Sequence, residues 1–251
     1  MRRGGFTGDE LSGGLGASRR GGDGEAPSNG NGQLWQAVFF ISSVALLTLG
    51  FWVGTNGVPL AEKHLYAHLV AETPSEVVWI AQWANYLGDP RVLVPATGLL
   101  LLSLPATLRQ RWWLWLGAML TAPMLEGLAK EAVARPRPEA LSAGFPSGHV
   151  TAVATLAVLL GYLGTKVLHA RAARTAVWMF ALLPIVAVAV ARIVLRAHWP
   201  LDAVGGIVLG IVCASAAAWW NERVSGAAPS SEPALKRRVD PALDTAVEGP
   251  L

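Results

Sequence analysis

Residues 192–220 read RIVLRAHWPLDAVGGIVLGIVCASAAAWW. From Leu201 to Trp220 the run is apolar apart from Asp202, and it is long enough to cross about 30 Å of hydrocarbon as a helix. Just ahead of it, Arg192, His198 and Asp202 fall at R-x5-H-x3-D spacing. Ionisable groups beside hydrocarbon are costly and read as functional by default. His198 precedes Asp202 by one helical turn on the same face, so the carboxylate can hold one imidazole nitrogen. The other nitrogen then points outward with its lone pair, as a nucleophile needs. The plainer alternative is a capped helix start with Pro200 near the first turn.

Working outward, the rest of the chain has the same character. Its 251 residues are 53% hydrophobic and 15% charged, with a mean hydropathy of +0.41, too apolar for an ordinary soluble domain. Five further apolar stretches are Leu34–Val53, Val92–Leu108 (broken by Pro95 and Pro105), Trp112 to about Val133, Val150–Leu168 and Thr175–Leu195. The expected fold is all-α, an integral membrane bundle of six transmembrane helices over residues 33–220. Ser75–Leu87 places Val77, Val78, Ile80, Ala81, Ala84 and Leu87 at near-helical spacing but is too short to span, so it lies on the membrane surface or the bundle. Residues 1–32 and 221–251 are polar, and both read as disordered tails. Arg2 and Arg3 mimic the start of a signal peptide, but no apolar core follows them.

Several classes drop out. A lone Cys213 leaves no disulfide framework and no CxxC metal site. The net charge of +3 comes with no basic patch interleaved with aromatics, so nucleic acid is not an expected partner. Oligomeric state leaves no mark. Six spans put both termini on one side, which would carry 13 Lys and Arg against seven on the other. The bias assigns the termini to the cytoplasm, with Trp35, Trp112, Trp113, Trp115, Trp219 and Trp220 as a cytoplasmic-side belt. The motif-bearing ends of the spans then face the periplasm or the outside.

Two more motifs fall at that same end. Lys130 closes the third span, and Arg137 follows seven residues later, past Pro136. An ammonium and a planar guanidinium suit different oxygens of a phosphate, although basic residues at span ends also anchor headgroups. Pro146-Ser147-Gly148-His149 opens the fourth span. There Ser147 reads as an N-cap, the first-turn amides including that of Gly148 face an anion, and His149 sits beside it.

Together these segments resemble the type 2 phosphatidic acid phosphatase family, whose pattern is K-x6-RP, then PSGH, then SR-x5-H-x3-D. The resemblance covers roughly residues 34–220. It implies a phosphatase core like that of the vanadium haloperoxidases. His198 would be the nucleophile that forms a phosphohistidine, Asp202 its orienter and His149 the general acid and base. Lys130, Arg137, Ser147, Gly148 and Arg192 would bind phosphate, with no metal and no cofactor. Ala191 departs from the pattern, standing where the family has serine, and this predicts a weaker grip on phosphate. Arg135 repeats the Arg-Pro dipeptide but lacks the spacing from Lys130.

Other residues read more plainly. Glu126 is placed to pair with Lys130 one turn on, and His64 and His68 belong to an outer-face helix rather than a zinc site. The expected activity is hydrolysis of a membrane lipid phosphate: undecaprenyl diphosphate, phosphatidylglycerol phosphate or phosphatidate. The alternatives are a lipid-to-lipid phosphotransferase and a non-catalytic lipid-phosphate binding or transport protein. The expected location is the cell (inner) membrane.

Overall fold

The computed structural model describes residues 30–71 and 73–226. The two expected tails lie outside these residues, apart from the few at their inner ends. Among the described residues the chain forms nine helices, α1 (Gly30–Asn56), α2 (Leu60–Val70), α3 (Ser75–Tyr86), α4 (Pro90–Ser103), α5 (Ala106–Arg109), α6 (Trp112–Val133), α7 (Gly148–Val167), α8 (Arg171–Val194) and α9 (Pro200–Gly226). The only β pairing among them is an isolated bridge between Pro136 and Ala143. The fold is all-α, as read from the sequence.

Four helices, α1, α7, α8 and α9, are long and apolar enough to cross a membrane. With 22 residues, α6 reaches about 33 Å at 1.5 Å per residue. The second expected span departs from its reading. Instead of continuing to Leu108, α4 is 14 residues long, about 21 Å. Asp89 caps it by accepting a hydrogen bond from the Arg91 amide at 2.8 Å. At its other end Leu104 turns extended because Pro105 follows, and the residue before a proline is disfavoured in the helical region. Length and composition therefore support four spans, and α4 falls short of the roughly 30 Å of hydrocarbon that the expected second span would cross.

Helices α7 and α9 form the centre. They cross closely because Gly206 and Gly210 carry no side chain. A Cβ on Gly206 would stand 2.6 Å from the Ser147 carbonyl oxygen, and one on Gly210 would stand 2.6 Å from the Ala154 Cβ. By contrast, α1 and α8 turn Phe40, Ile41, Leu47, Phe51, Phe180 and Leu183 outward. So much exposed apolar surface on two helices suits lipid rather than water, and the chain is a multi-pass membrane protein. Deep in the bundle, Leu114, Trp115, Leu159, Tyr162 and Ala218 pack together near one end. Trp115 is fully buried there and donates its indole N–H to the Leu108 carbonyl at 3.1 Å. It is a core residue, so the expected aromatic belt loses that member.

The start of α1 and the end of α9 meet at that same end, where Phe39 stacks on Trp219 at 5.6 Å between ring centroids. Helix α9 continues six residues past Trp220, so Asn221 to Gly226 belong to the helical domain rather than to a tail. Amphipathic α3 packs against α8 and buries Ala81, while Trp79, Ile80 and Trp83 stay exposed. At the opposite end from the termini lie the close of α6, the starts of α7 and α9, and the close of α8.

Candidate active site

Helix α6 ends because Ala134 adopts the left-handed conformation, φ 49°, and its amide bonds the Lys130 carbonyl at 2.9 Å. The chain then folds back as a tight loop, in which the Gly144 amide bonds the Arg135 carbonyl at 2.6 Å. This loop hands Arg137 to the same space that Lys130 faces. From across the bundle, α7 presents Gly148 and His149, α8 presents Arg192, and the short α8–α9 link presents His198. All six line one cavity of about 720 Å³. Ser147 and Asp202 stand just behind its wall, both fully buried. Every site residue expected from the three motifs is therefore gathered at one place.

The cavity is two-sided. Its polar end holds the six residues above with Glu126, and the rest runs between α4 and α6 along Leu93, Val94, Leu101, Leu116 and Leu120. Close packing keeps the polar end compact. A Cβ on Gly88 would stand 2.8 Å from the His149 Cβ, so only glycine lets the α3–α4 link pass beneath the start of α7.

His198 turns Nδ1 toward Asp202 Oδ2 at 3.4 Å and lines the cavity with the rest of its ring. Burial is the largest influence on its pKa and lowers it. The hydrogen bond to Asp202 pulls the other way, and the Arg192 and Arg137 charges add to the lowering. The neutral form is thereby favoured near pH 7. Asp202 is itself held on several sides. Its Oδ2 also accepts the Trp199 amide at 3.1 Å, and its Oδ1 accepts Arg135 Nη1 at 2.7 Å.

Arg135, which lacks the spacing from Lys130, does not line the cavity, and its role lies behind the wall. It is no spare copy of Arg137. Its side chain is fully buried, paired with Asp202 on one side and with Glu62 of α2 on the other. Glu62 also accepts the Leu201 amide at 2.8 Å, which ties α2 to the start of α9. Neither residue was assigned to the site from sequence. The available signal was that a charge kept at a span end needs a partner. Asn85 of α3 is a further missed member, accepting Arg192 Nη1 at 2.9 Å.

Ser147 sits at the N-cap position, but its hydroxyl makes no capping bond. Ser147 Oγ and Arg192 Nε are buried with no hydrogen-bond partner among the described residues. Buried polar atoms are normally satisfied, and each one left open costs about 1–3 kcal/mol. Two such atoms beside free helix-start amides and three cations make a receptor for a tetrahedral oxyanion. The Glu126–Lys130 ion pair forms as its spacing predicted. Ala191 is buried and does not line the cavity.

Residues 111–225 match the family model of the PAP2 superfamily. The fold is similar to the crystal structure of a transmembrane PAP2-type phosphatidylglycerolphosphate phosphatase from Bacillus subtilis. That likeness has a TM-score of 0.66 at 23% identity, covering 74% of this chain and 96% of that one. Aquifex aeolicus LpxE gives a TM-score of 0.48 at 19% identity, covering 61% of this chain and 92% of its own. No curated protein gives a sequence match.

Proposed function

We propose, from the match of residues 111–225 to the PAP2 superfamily model, that this membrane protein is a phosphatase that removes phosphate from a lipid through a phosphohistidine on His198. The observation that carries this reading is the two-sided cavity. A cationic end with unpartnered donors opens into an apolar groove, the shape of a lipid with a phosphate head.

In the proposed reaction, His198 Nε2 attacks phosphorus while the bond to the lipid oxygen breaks. Asp202 holds Nδ1–H and supports the positive charge that grows on the ring. His149 gives its proton to the leaving oxygen. Lys130, Arg137, Arg192, the Ser147 hydroxyl and the Gly148 amide hold the equatorial oxygens in the transition state. Water then attacks the phosphohistidine, His149 takes a proton from it, and the phosphorus–nitrogen bond breaks to release inorganic phosphate and neutral His198. The excess of basic residues at the other end supports a site on the periplasmic or outer face of the cell membrane.

The test is phosphate release from phosphatidylglycerol phosphate, phosphatidate and undecaprenyl diphosphate by the protein purified in dodecyl maltoside. His198→Ala is expected to abolish release, EDTA to leave it intact and vanadate to inhibit it. Equal release by wild type and His198→Ala would sink the reading.

A further inference from the structure

Glu126 is a carboxylate inside a site built for anions. It lies one helical turn before Lys130 on α6, pairs with it, and lines the cavity between the cationic end and the groove. Its carboxylate also faces the start of α7 so closely that a Cβ on Gly148 would overlap it. Of the charged groups that line the cavity, Lys130, Arg137 and Arg192 are positive and Glu126 is negative. That leaves a balance of two positive charges, to which the protonated His149 of the proposed reaction adds one while His198 stays neutral. The buried Glu62–Arg135–Asp202 chain behind the wall adds one net negative charge.

A phosphomonoester carries close to two negative charges near neutral pH. A lipid diphosphate carries about one more, and its placement matters more than its total. If His198 attacks the terminal phosphorus, the inner phosphate must sit between the cationic end and the tail. Along α6, Glu126 comes one turn before Lys130, on the side of the groove residues Leu116 and Leu120, and it is the one carboxylate there. Its carboxylate would meet the inner phosphate as a like charge in a partly buried setting, and it already engages the one lysine that could have compensated. A phosphomonoester places an alcohol carbon there instead, and a neighbouring hydroxyl would donate a hydrogen bond to the carboxylate.

We infer that Glu126 makes this site selective for lipid phosphomonoesters over lipid diphosphates. The inference rests on the phosphatase reading above and narrows its substrate class. Because Glu126 touches the lipid next to the reacting phosphorus, its substitution should change the ratio between substrates more than the overall rate.

Farnesyl phosphate and farnesyl diphosphate share a tail and differ only in the second phosphate. Loss of each is followed with the full-length protein in detergent. Wild type is expected to favour the monophosphate in kcat/KM by about tenfold or more. Glu126→Gln frees Lys130 and so moves both rates, and the expected signature is a rise of about tenfold in the ratio of kcat/KM for the diphosphate to that for the monophosphate. A wild type that turns over both equally, or a variant that shifts both by one factor, would overturn the inference and leave the phosphatase reading standing. No turnover of these or of phosphatidylglycerol phosphate, phosphatidate or undecaprenyl diphosphate would overturn both. Should Glu126→Gln not fold, inhibition of wild type decides. Orthophosphate is expected to inhibit at lower concentration than pyrophosphate, and the reverse order overturns the inference.

Discussion

The helix pair α7 and α9 carries a buried polar cluster at each end, and the two clusters are built to opposite rules. At the end shared by α1 and the close of α9, Tyr162 donates to Glu222 at 2.8 Å and accepts from Asn221 Nδ2 at 2.6 Å. Arg111 donates to Asn221 Oδ1 at 2.7 Å, and Lys166 pairs with Glu222. Each of these groups has its partner in the protein. At the other end Ser147 Oγ and Arg192 Nε have none among the described residues, and three cations face a cavity that also holds one carboxylate. A closed cluster holds helices together, whereas an open one stores interactions for something that arrives. The contrast separates structural from functional charge in a bundle whose basic residues look alike by position.

The sharpest way to break the contrast is Arg135, which belongs to the functional end but is closed like the structural one. Arg135→Ala would leave Asp202 and Glu62 as unneutralised carboxylates in a buried place. Removing one partner of a buried ion pair costs about 3–5 kcal/mol, so both melting temperature in detergent and phosphate release should fall together. Arg135→Lys keeps the charge without the fork that spans two carboxylates, and it should recover stability better than activity. An Arg135→Ala protein that melts like wild type and turns over normally would show that the chain from Glu62 to Asp202 carries no weight.

Next in size is the structural end. Asn221→Ala strips hydrogen-bond partners from Arg111 and Tyr162, at a cost of about 1–3 kcal/mol. The melting temperature should drop while kcat/KM for the lipid phosphate stays within about twofold of wild type. A parallel fall in kcat/KM would mean that the two ends are coupled along α7 and α9, and that the division into closed and open clusters fails.

This division also marks what could be read from sequence. The three motifs were legible because their members lie within a few residues of one another, so spacing alone sets their mutual geometry. Glu62 and Asp202 are 140 positions apart, and Asn85 and Arg192 are 107 apart. No local period joins them; only the return of α2 and α3 to the site end does. Spacing from Lys130 decides which arginine faces the cavity but is silent on the partners of Arg135, which faces away. The short α4 was overextended because apolar composition runs on to Leu108, whereas Pro105 decides the backbone. Ser147 was read as a cap from residue type, yet its hydroxyl stays open.

That open hydroxyl supplies the smallest and most discriminating comparison. Removing Asn221 should cost stability, but removing Ser147 Oγ should not, because Ser147→Ala discards a buried oxygen with no partner among the described residues. Its loss should appear only when phosphate is bound. One hydrogen bond to a charged oxygen is worth about 1.5 kcal/mol, close to tenfold in kcat/KM. Ala191→Ser is the converse experiment. If the added hydroxyl reaches phosphate, KM should fall by up to about fivefold, the worth of one neutral hydrogen bond near 1 kcal/mol. Ala191 is buried in the last turns of α8 and does not line the cavity, so the competing outcome is a bond to the helix's own carbonyl one turn back. An unchanged KM would select that outcome. The missing serine would then matter to the packing of α8 and not to the grip on phosphate.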